Sequence, residues 1–459
     1  MKTKRIAFTF LVLSLLACNL ASKTFSEPTP TPSPSLTSTS TPEPLKPAYI
    51  PPGCEAIPLA TVPAATALAQ PTPQIQANPE IAPDIQVQVF EEVVDTIENV
   101  YVYPDFNGKD WSEIVSRYRG KIKSGLDTEV FYSEMQAMIL ELGDEHSQFL
   151  SPVVVALSEA ELAGNNEFVG IGAYLLPQVE KGRGTIISVY PDSPAEHSGL
   201  KPHDSILAVD GLPLVENGGA RPHRMRGPEC SAVRLTVQSP GQSPQDILLL
   251  RHRIEGGLPV DARIVPTQDG SRVGYIMLPS FFDKTIPNQV AQALDNFGPL
   301  DGLILDNRLN GGGSSDVVEP ILAHFALGIL GAFKSRNDSR PLTIRPNPIH
   351  NSQTVPLVVL VGEDTASYGE IFAGVLKDSG RAKVAGQTTQ GNVEVLHGYT
   401  FKDGSRLWIA QETFDPAISH ADWETSGIIP DAEAYADWDT FTFETDPSVK
   451  AALGLLGHQ

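Results

Sequence analysis

Ser367 stands where an apolar run, Leu357-Val358-Val359-Leu360-Val361, breaks into Gly362-Glu363-Asp364-Thr365-Ala366-Ser367 and restarts at helical spacing through Tyr368, Ile371, Phe372 and Leu376. A serine at a strand-to-helix turn of an α/β sheet lies at the carboxyl end of a strand, where sites form. The free N–H groups of a helix start favour negative charge beside its hydroxyl. That position suits a nucleophile facing an oxyanion. A second segment has the same shape: Leu303-Ile304-Leu305 runs through Asp306-Asn307-Arg308-Leu309-Asn310 into Gly311-Gly312-Gly313, where no side chain covers the backbone amides. Ser314, Ser315 and Asp316 are helix-capping types, and Val317, Val318, Ile321 and Leu322 follow at helical spacing. Either turn alone is an ordinary α/β connection; the pair brings a bare amide and a serine to one sheet.

At these residues the chain resembles the carboxyl-terminal processing peptidases, serine peptidases related to the tricorn core protease. The resemblance runs in family order from about residue 85 to residue 435. Asp144-Glu145-His146-Ser147 resembles the family's Asp-Pro-His-Ser, Asp306 to Gly313 its Asp-Leu-Arg-Asn-Asn-Pro-Gly-Gly, and Thr365-Ala366-Ser367-Tyr368-Gly369-Glu370 its Ser-Ala-Ser-Ala-Ser-Glu. The resemblance implies that Ser367 is the nucleophile and that the backbone amides of Gly312 and Tyr368 form the oxyanion hole. Tyr368 replaces an alanine, which is tolerable because only its amide is used.

One position departs from the family. Where Thr-Phe-Gly-Lys-Gly supplies a lysine base, this chain has Thr389-Gln390-Gly391-Asn392-Val393, so the lysine position is Asn392. An amide accepts no proton at neutral pH. The tricorn-like branch uses instead a histidine of the upstream motif and a glutamate shortly before a Gly-Val-x-Pro-Asp segment. Here His146 and Glu424, the latter before Gly427-Ile428-Ile429-Pro430-Asp431, occupy those places. An imidazole is a better base near pH 7 than the lysine it would replace. Without the resemblance, His146 reads as a helix-end histidine paired with Asp144 or Glu145, and Glu424 as a solvated charge. His397 and His420 remain alternative bases. Glu394 reads equally as an orienting group, a substrate contact or a surface carboxylate.

The elements that must position these residues divide the chain. Residues 84–164 read as helices, with Val89, Val93, Val94, Ile97 and Val100 on one face and Phe131, Met135, Met138, Ile139 and Leu142 on another, ending at the His146 motif. Residues 165–258 change to short strands split by Gly, Pro and Asp. Phe168-Val169-Gly170-Ile171-Gly172, Ile186 to Val189, and the long stretch from Ser193 to Gly211 are similar to a PDZ domain. That similarity implies β-augmentation: a peptide adds as a strand and its terminal carboxylate meets backbone amides near Phe168, Gly170, Ile171 and Gly172. Read alone, those glycines are a tight turn. Residues 259–440 alternate strands and helices as a mixed α/β peptidase core, which the resemblance makes crotonase-like, and residues 441–459 read as a tail. The expected fold class is therefore multidomain α/β: a helical segment, a β-rich PDZ-like unit and an α/β core.

Residues 1–18 carry a basic start, Met1 to Arg5, then an apolar stretch from Ile6 to Leu16 and Leu15-Leu16-Ala17-Cys18. This resembles a bacterial lipobox, which implies acylation of Cys18 and an extracytoplasmic protein anchored to the cell membrane by lipid; the alternative is an ordinary secretory signal. Residues 19–83 form a Thr/Pro/Ser tether, most repetitive at Pro28 to Pro34, that cannot bury a core. With Cys18 acylated, Cys54 and Cys230 are an even pair in an oxidising compartment and suggest a disulfide, the alternative being two free thiols.

With 33 basic and 55 acidic residues the net charge is −22, which argues against nucleic acid and anionic headgroups as partners. No metal-ligand spacing, nucleotide loop or flavin fingerprint appears, so no cofactor and no metal are expected. The combined expectation is an extracytoplasmic serine endopeptidase acting on proteins or peptides with free carboxyl termini. The alternative is a peptide-binding pseudoenzyme that lost its base at Asn392.

Overall fold

The computed structural model describes residues 45–55, 77–144, 146–162 and 167–458. The signal-like segment with Cys18 and much of the tether lie outside the described residues. So does Glu145.

Three helices, Pro83–Val100, Trp111–Ile122 and Thr128–Leu140, open the body. Aspartates begin two of them: Asp110 accepts from the Glu113 amide and Asp127 from that of Glu129, satisfying donors that a helix start leaves orphaned. Val89, Phe90, Val93, Ile97, Phe131, Met135 and Ile139 are buried together, but Phe401, Leu407, Ile409 and Ala410 complete the same core. The helices are therefore joined to the carboxyl half rather than free-standing. Strand Gln148–Leu150, which follows the third helix, fixes the join by pairing antiparallel with Arg406–Trp408.

The α/β core is a six-stranded sheet. Val273–Met277, Gly302–Asp306, Leu357–Val361, Lys383–Gly386 and Ala432–Glu433 run parallel in that spatial order, and Ala262–Val265 lies antiparallel at the edge. Every residue of the three strands 273–277, 302–306 and 357–361 is buried, as expected where both faces of a parallel sheet are covered. Alternate residues face opposite ways. Leu303, Leu305, Leu357, Val359 and Val361 pack with helices Ile286–Phe297, Ser315–Leu322 and Tyr368–Asp378. Ile304, Val358 and Leu360 pack with Val449, Ala452 and Leu453 of helix Pro447–Leu456. Residues 441–459, read from sequence as a tail, thus contain the helix that covers one face of this sheet. The neighbouring strands Gly302–Asp306 and Leu357–Val361 bring the two turns expected to form the site side by side.

A separate antiparallel sheet joins Gln148–Leu150, Arg406–Pro416, Gly328–Lys334 and Ser339–Ile344, with Val395–Thr400 also paired to Arg406–Pro416. A third sheet lies within residues 165–258: Gln245–Leu250, Ala232–Gln238, Ser205–Val209, Arg183–Val189 and Ala173–Gln178, the last being an edge strand. Ile186, Ile206, Val233, Leu235 and Leu249 form its own core. Among the described residues no helix is long and apolar enough to cross a membrane.

Candidate active site

Ser367 ends the turn after Leu357–Val361 and precedes helix Tyr368–Asp378, with φ 54° and ψ −128°. A positive φ on a residue with a Cβ costs about 1–3 kcal/mol and persists where surroundings enforce it. The surroundings are explicit. Its amide donates to the Asn392 carbonyl at 2.6 Å, and its carbonyl accepts from Glu370 N at 2.9 Å and Ile371 N at 3.0 Å. The Ser367 hydroxyl makes no capping bond to its own helix. This strained strand–turn–helix geometry is that of a nucleophile elbow.

The glycine turn is stitched to the elbow. Ala366 N donates to the Asn310 carbonyl at 3.1 Å, and Asn307 Nδ2 to the Gly369 carbonyl at 2.8 Å. Gly312 has φ 100°, and a Cβ there would lie 2.8 Å from the Ser367 Cβ, so only glycine fits. One expectation needs correction: the Gly312 amide is engaged with Asn310 Oδ1 at 3.0 Å, so in this conformation it is not presented to an oxyanion. The Asn310 amide group competes for the donor that the glycine run exposes. Tyr368 opens its helix, and its amide belongs to the first turn, whose N–H groups lack intrahelical acceptors.

Asp144 shapes the His146 turn. Its carboxylate accepts from His146 N at 3.0 Å, Ser147 N at 2.8 Å and Ser147 Oγ at 2.6 Å, while Ser147 Oγ accepts from Ala410 N at 3.1 Å. The imidazole itself meets other carboxylates. Nε2 lies 3.2 Å from Glu424 Oε1 and 3.5 Å from Glu394 Oε2. Glu424 is held in turn, because its Oε2 accepts from Val393 N at 2.7 Å and Glu394 N at 3.2 Å. Residues 392 to 394 therefore connect both halves of the site: Asn392 meets the Ser367 amide, and the next two amides hold the carboxylate that meets His146.

The tautomer follows from these contacts. A nitrogen facing carboxylate oxygens carries the proton, so Nε2–H donates to Glu424 and Nδ1 keeps the lone pair. Among the described residues no hydrogen bond joins Ser367 Oγ to His146. Burial opposes the charged imidazole, but the Glu424 bond and the charges of Glu394, Glu424 and Asp144 outweigh it and raise the His146 pKa above 6.5. Burial, reinforced by the neighbouring Glu424 charge, likewise pushes the Glu394 carboxyl well above the usual range.

Glu370, the last residue of the serine motif, is fully buried. It accepts from Gly391 N at 2.8 Å, Asn392 N at 2.7 Å and Thr389 Oγ1, fixing the loop against which the elbow rests. Burial pushes its carboxyl up to about 7 despite these donors. Its place, three residues after the serine and in the helix's first turn, is the only sequence signal for that task. His397 and His420 lie outside the cluster: His397 Nε2 is 3.3 Å from Glu412, and His420, exposed, is 2.8 Å from Asp415.

The residues expected to receive a peptide terminus are arranged differently from a glycine loop. Phe168 and Gly170 lie in strand Glu167–Gly170, paired with His252–Glu255, and Phe168 packs edge-on against Tyr190. Ile171 is buried in the third sheet's core. Gly172 turns at φ 80°, where a Cβ would meet Ser193 at 2.2 Å, so the loop shrinks to one tight turn leading into edge strand Ala173–Gln178. Cys54 and Cys230 form a disulfide with Cα atoms 5.3 Å apart, tying the segment before the helices to this unit.

Comparison with known proteins gives the family. Residues 272–434 match peptidase family S41, and residues 87–137 match the tricorn protease C1 domain. The carboxyl-terminal-processing protease of Synechocystis sp. is 30% identical over 375 residues, covering 78% of this chain and 84% of the relative. Carboxyl-terminal-processing peptidase 2, chloroplastic, of Arabidopsis thaliana is 30% identical over 363 residues, covering 75% and 68%. The fold is similar to that of the photosystem II D1 C-terminal processing protease, with TM-score 0.54, 24% identity and coverage of 81% of this chain and 97% of that one. An S41-assigned structure from Bacteroides fragilis gives TM-score 0.53 at 17% identity, covering 83% and 98%. The chain therefore belongs to the carboxyl-terminal processing peptidases of family S41 and is a serine-type peptidase.

Proposed function

We propose that Ser367 attacks the scissile carbonyl, that Nδ1 of His146 takes the serine proton and returns it to the leaving amine, and that Glu424 holds the imidazole and stabilises its charged form. The observation that carries this reading is the run of three residues, 392 to 394, whose backbone joins the Ser367 amide to the carboxylate paired with His146. Asn392 contributes its backbone and is not required to accept a proton. The Tyr368 amide holds the oxyanion, and Gly312 joins it once Asn310 Oδ1 releases its N–H. The pseudoenzyme reading rested on the missing lysine alone, and a histidine base removes its motive.

The substrates are proteins or peptides with free carboxyl termini. The third sheet is PDZ-like, with Ala173–Gln178 as the open edge on which a peptide strand adds and the turn at Ile171 and Gly172 at its end. The protein is extracytoplasmic and anchored by lipid on Cys18, with the Pro/Thr/Ser tether holding the body off the membrane. The reading is tested with matched peptides bearing a free carboxylate or an amide at an apolar terminus. Free termini should bind Ser367→Ala protein more tightly and be cut by the wild type. Equal affinity rejects terminal selection, and a wild type that cuts nothing rejects the catalytic assignment. Acyl-probe labelling that Cys18→Ala fails to remove rejects the anchor.

A further inference from the structure

His146, Glu394 and Glu424 place one imidazole nitrogen and two carboxylate oxygens within 4.8 Å of one another. The sequence hides this set, since Glu424 alone is 278 residues from His146. A second feature sets the cluster apart from a chance gathering of acids. Glu394 is only 3% exposed, and its Oε2, aimed at Nε2 from 3.5 Å, receives no hydrogen bond. A buried carboxyl oxygen without a hydrogen-bond partner is costly, and a bound cation would supply the partner it lacks. The two nitrogen-to-oxygen spacings match too: Nε2 is 3.2 Å and 3.5 Å from the two oxygens, and tetrahedral zinc with bonds of about 2.0–2.2 Å sets its ligand atoms roughly 3.3 Å apart.

We propose that His146, Glu394 and Glu424 form a site for zinc, or a divalent cation of similar size and preference for nitrogen and oxygen, and that the bound ion switches the peptidase off. The switch is a change of tautomer. Imidazole binds metal through a lone pair, so Nε2 gives up its proton, and the neutral ring then carries its N–H at Nδ1. The nitrogen assigned to take the serine proton no longer has a lone pair. No redox change occurs, and water takes the remaining metal position. The switch rests on the base assignment above; binding of the ion does not.

The test separates the two. Full-length Ser367→Ala protein is titrated with zinc chloride by calorimetry, where saturable binding is expected without turnover. Loss of outer partners alone costs about tenfold to a hundredfold in metal affinity, so Glu394→Gln and Glu424→Gln, which keep side-chain shape, should each weaken binding by at least about tenfold. His197→Ala should not, because His197 belongs to the separate exposed cluster with Asp192 and Glu196. In protein with Ser367 intact, zinc should suppress turnover and EDTA restore it. Glu394→Gln, compared with its own metal-free rate, should need about tenfold more zinc. Absence of saturable binding, or binding that Glu394→Gln leaves unchanged, overturns the site. Binding that leaves turnover unchanged overturns the switch. If the enzyme cuts nothing even with EDTA, the catalytic reading and the switch both fall, while calorimetry still decides the site.

Discussion

An imidazole held between two carboxylates is a base whose strength is set by what must be neutralised when it gains a proton. In His146 burial disfavours the cation, yet Glu424 and Glu394 favour it more, and the pKa lies above 6.5. With His146 as the proposed base, the working form is the neutral one, so a raised pKa moves the acid limb of kcat/KM to higher pH, and activity should rise through an ionisation above the ordinary histidine value. Glu424→Gln removes a charge and an acceptor that stabilise the imidazolium. It should shift that limb to lower pH while lowering kcat, whereas a limb that stays in place assigns the ionisation to another group. His146→Ala should cost about 10²–10⁴-fold in kcat, the usual contribution of a positioned base. The turn at Ser367 and the meeting of His146 with Glu424 were legible because each residue sits in a short motif with its own residue types. The elbow strain was not, since the positive φ at Ser367 goes with an amide held by the Asn392 carbonyl, on a loop further along the chain that Glu370 fixes. Glu394 was ambiguous for the same reason: only folding decides whether a carboxylate in a polar stretch meets water or a histidine.

At the scale of elements, the strand-to-helix turns were legible as apolar runs broken by glycine and caps, because parallel strands buried on both faces leave unbroken runs in sequence. Strand order and the packing of Pro447–Leu456 were not, since neither leaves a local pattern. What makes the turns a site is the buried Glu370 carboxylate that fixes residues 389 to 392. Glu370→Ala leaves the Gly391 and Asn392 amides and the Thr389 hydroxyl without their acceptor, and each buried donor stranded in this way costs about 1–3 kcal/mol. The loop should loosen and the elbow with it, so kcat should fall far more than KM changes. A Glu370→Ala enzyme with wild-type kcat would show that the loop does not position Ser367. Gly312→Ala tests the facing turn. Its Cβ would press on the Ser367 Cβ at 2.8 Å in a backbone conformation with φ 100°, so turnover should collapse while circular dichroism stays native. Retained turnover would mean the glycine turn can retreat from the serine without loss.

For the whole molecule, the question is what holds the third sheet against the peptidase core. The segment after the last core strand does so. Trp438 Nε1 donates to the Ile186 carbonyl at 3.1 Å, the Trp438 carbonyl meets His203 Nδ1 at 2.9 Å, and Asp439 pairs with Lys181 and Arg183. The same indole lies under Arg308, whose guanidinium is 5.0 Å from its ring centre. Arg308 is in the glycine-rich turn of the site, and it is buried between Asp306 at 2.5 Å and Asp446 at 2.6 Å. The site, the clasp and the third sheet therefore share one buried cation. Sequence offered Arg308 as a motif residue but gave no sign of Asp446, 138 residues away. Losing Asp446 leaves Arg308 paired with Asp306 but strips two hydrogen bonds from its guanidinium, and a hydrogen bond to a charged group is worth about 1.5–3 kcal/mol. Asp446 also caps helix Pro447–Leu456 through the Ser448 and Val449 amides, worth about 1 kcal/mol more. Asp446→Ala should therefore lower the urea midpoint as much as loss of the Cys54–Cys230 disulfide, for which about 2–5 kcal/mol is typical. The two losses should differ in kind. Without the disulfide the site keeps its contacts, and native enzyme below the transition should retain turnover. Without Asp446 the turn carrying Gly312 loses its anchor, so kcat should fall in urea concentrations too low to unfold the chain. If Asp446→Ala unfolds at the wild-type midpoint with unchanged kcat, the clasp does not support the site.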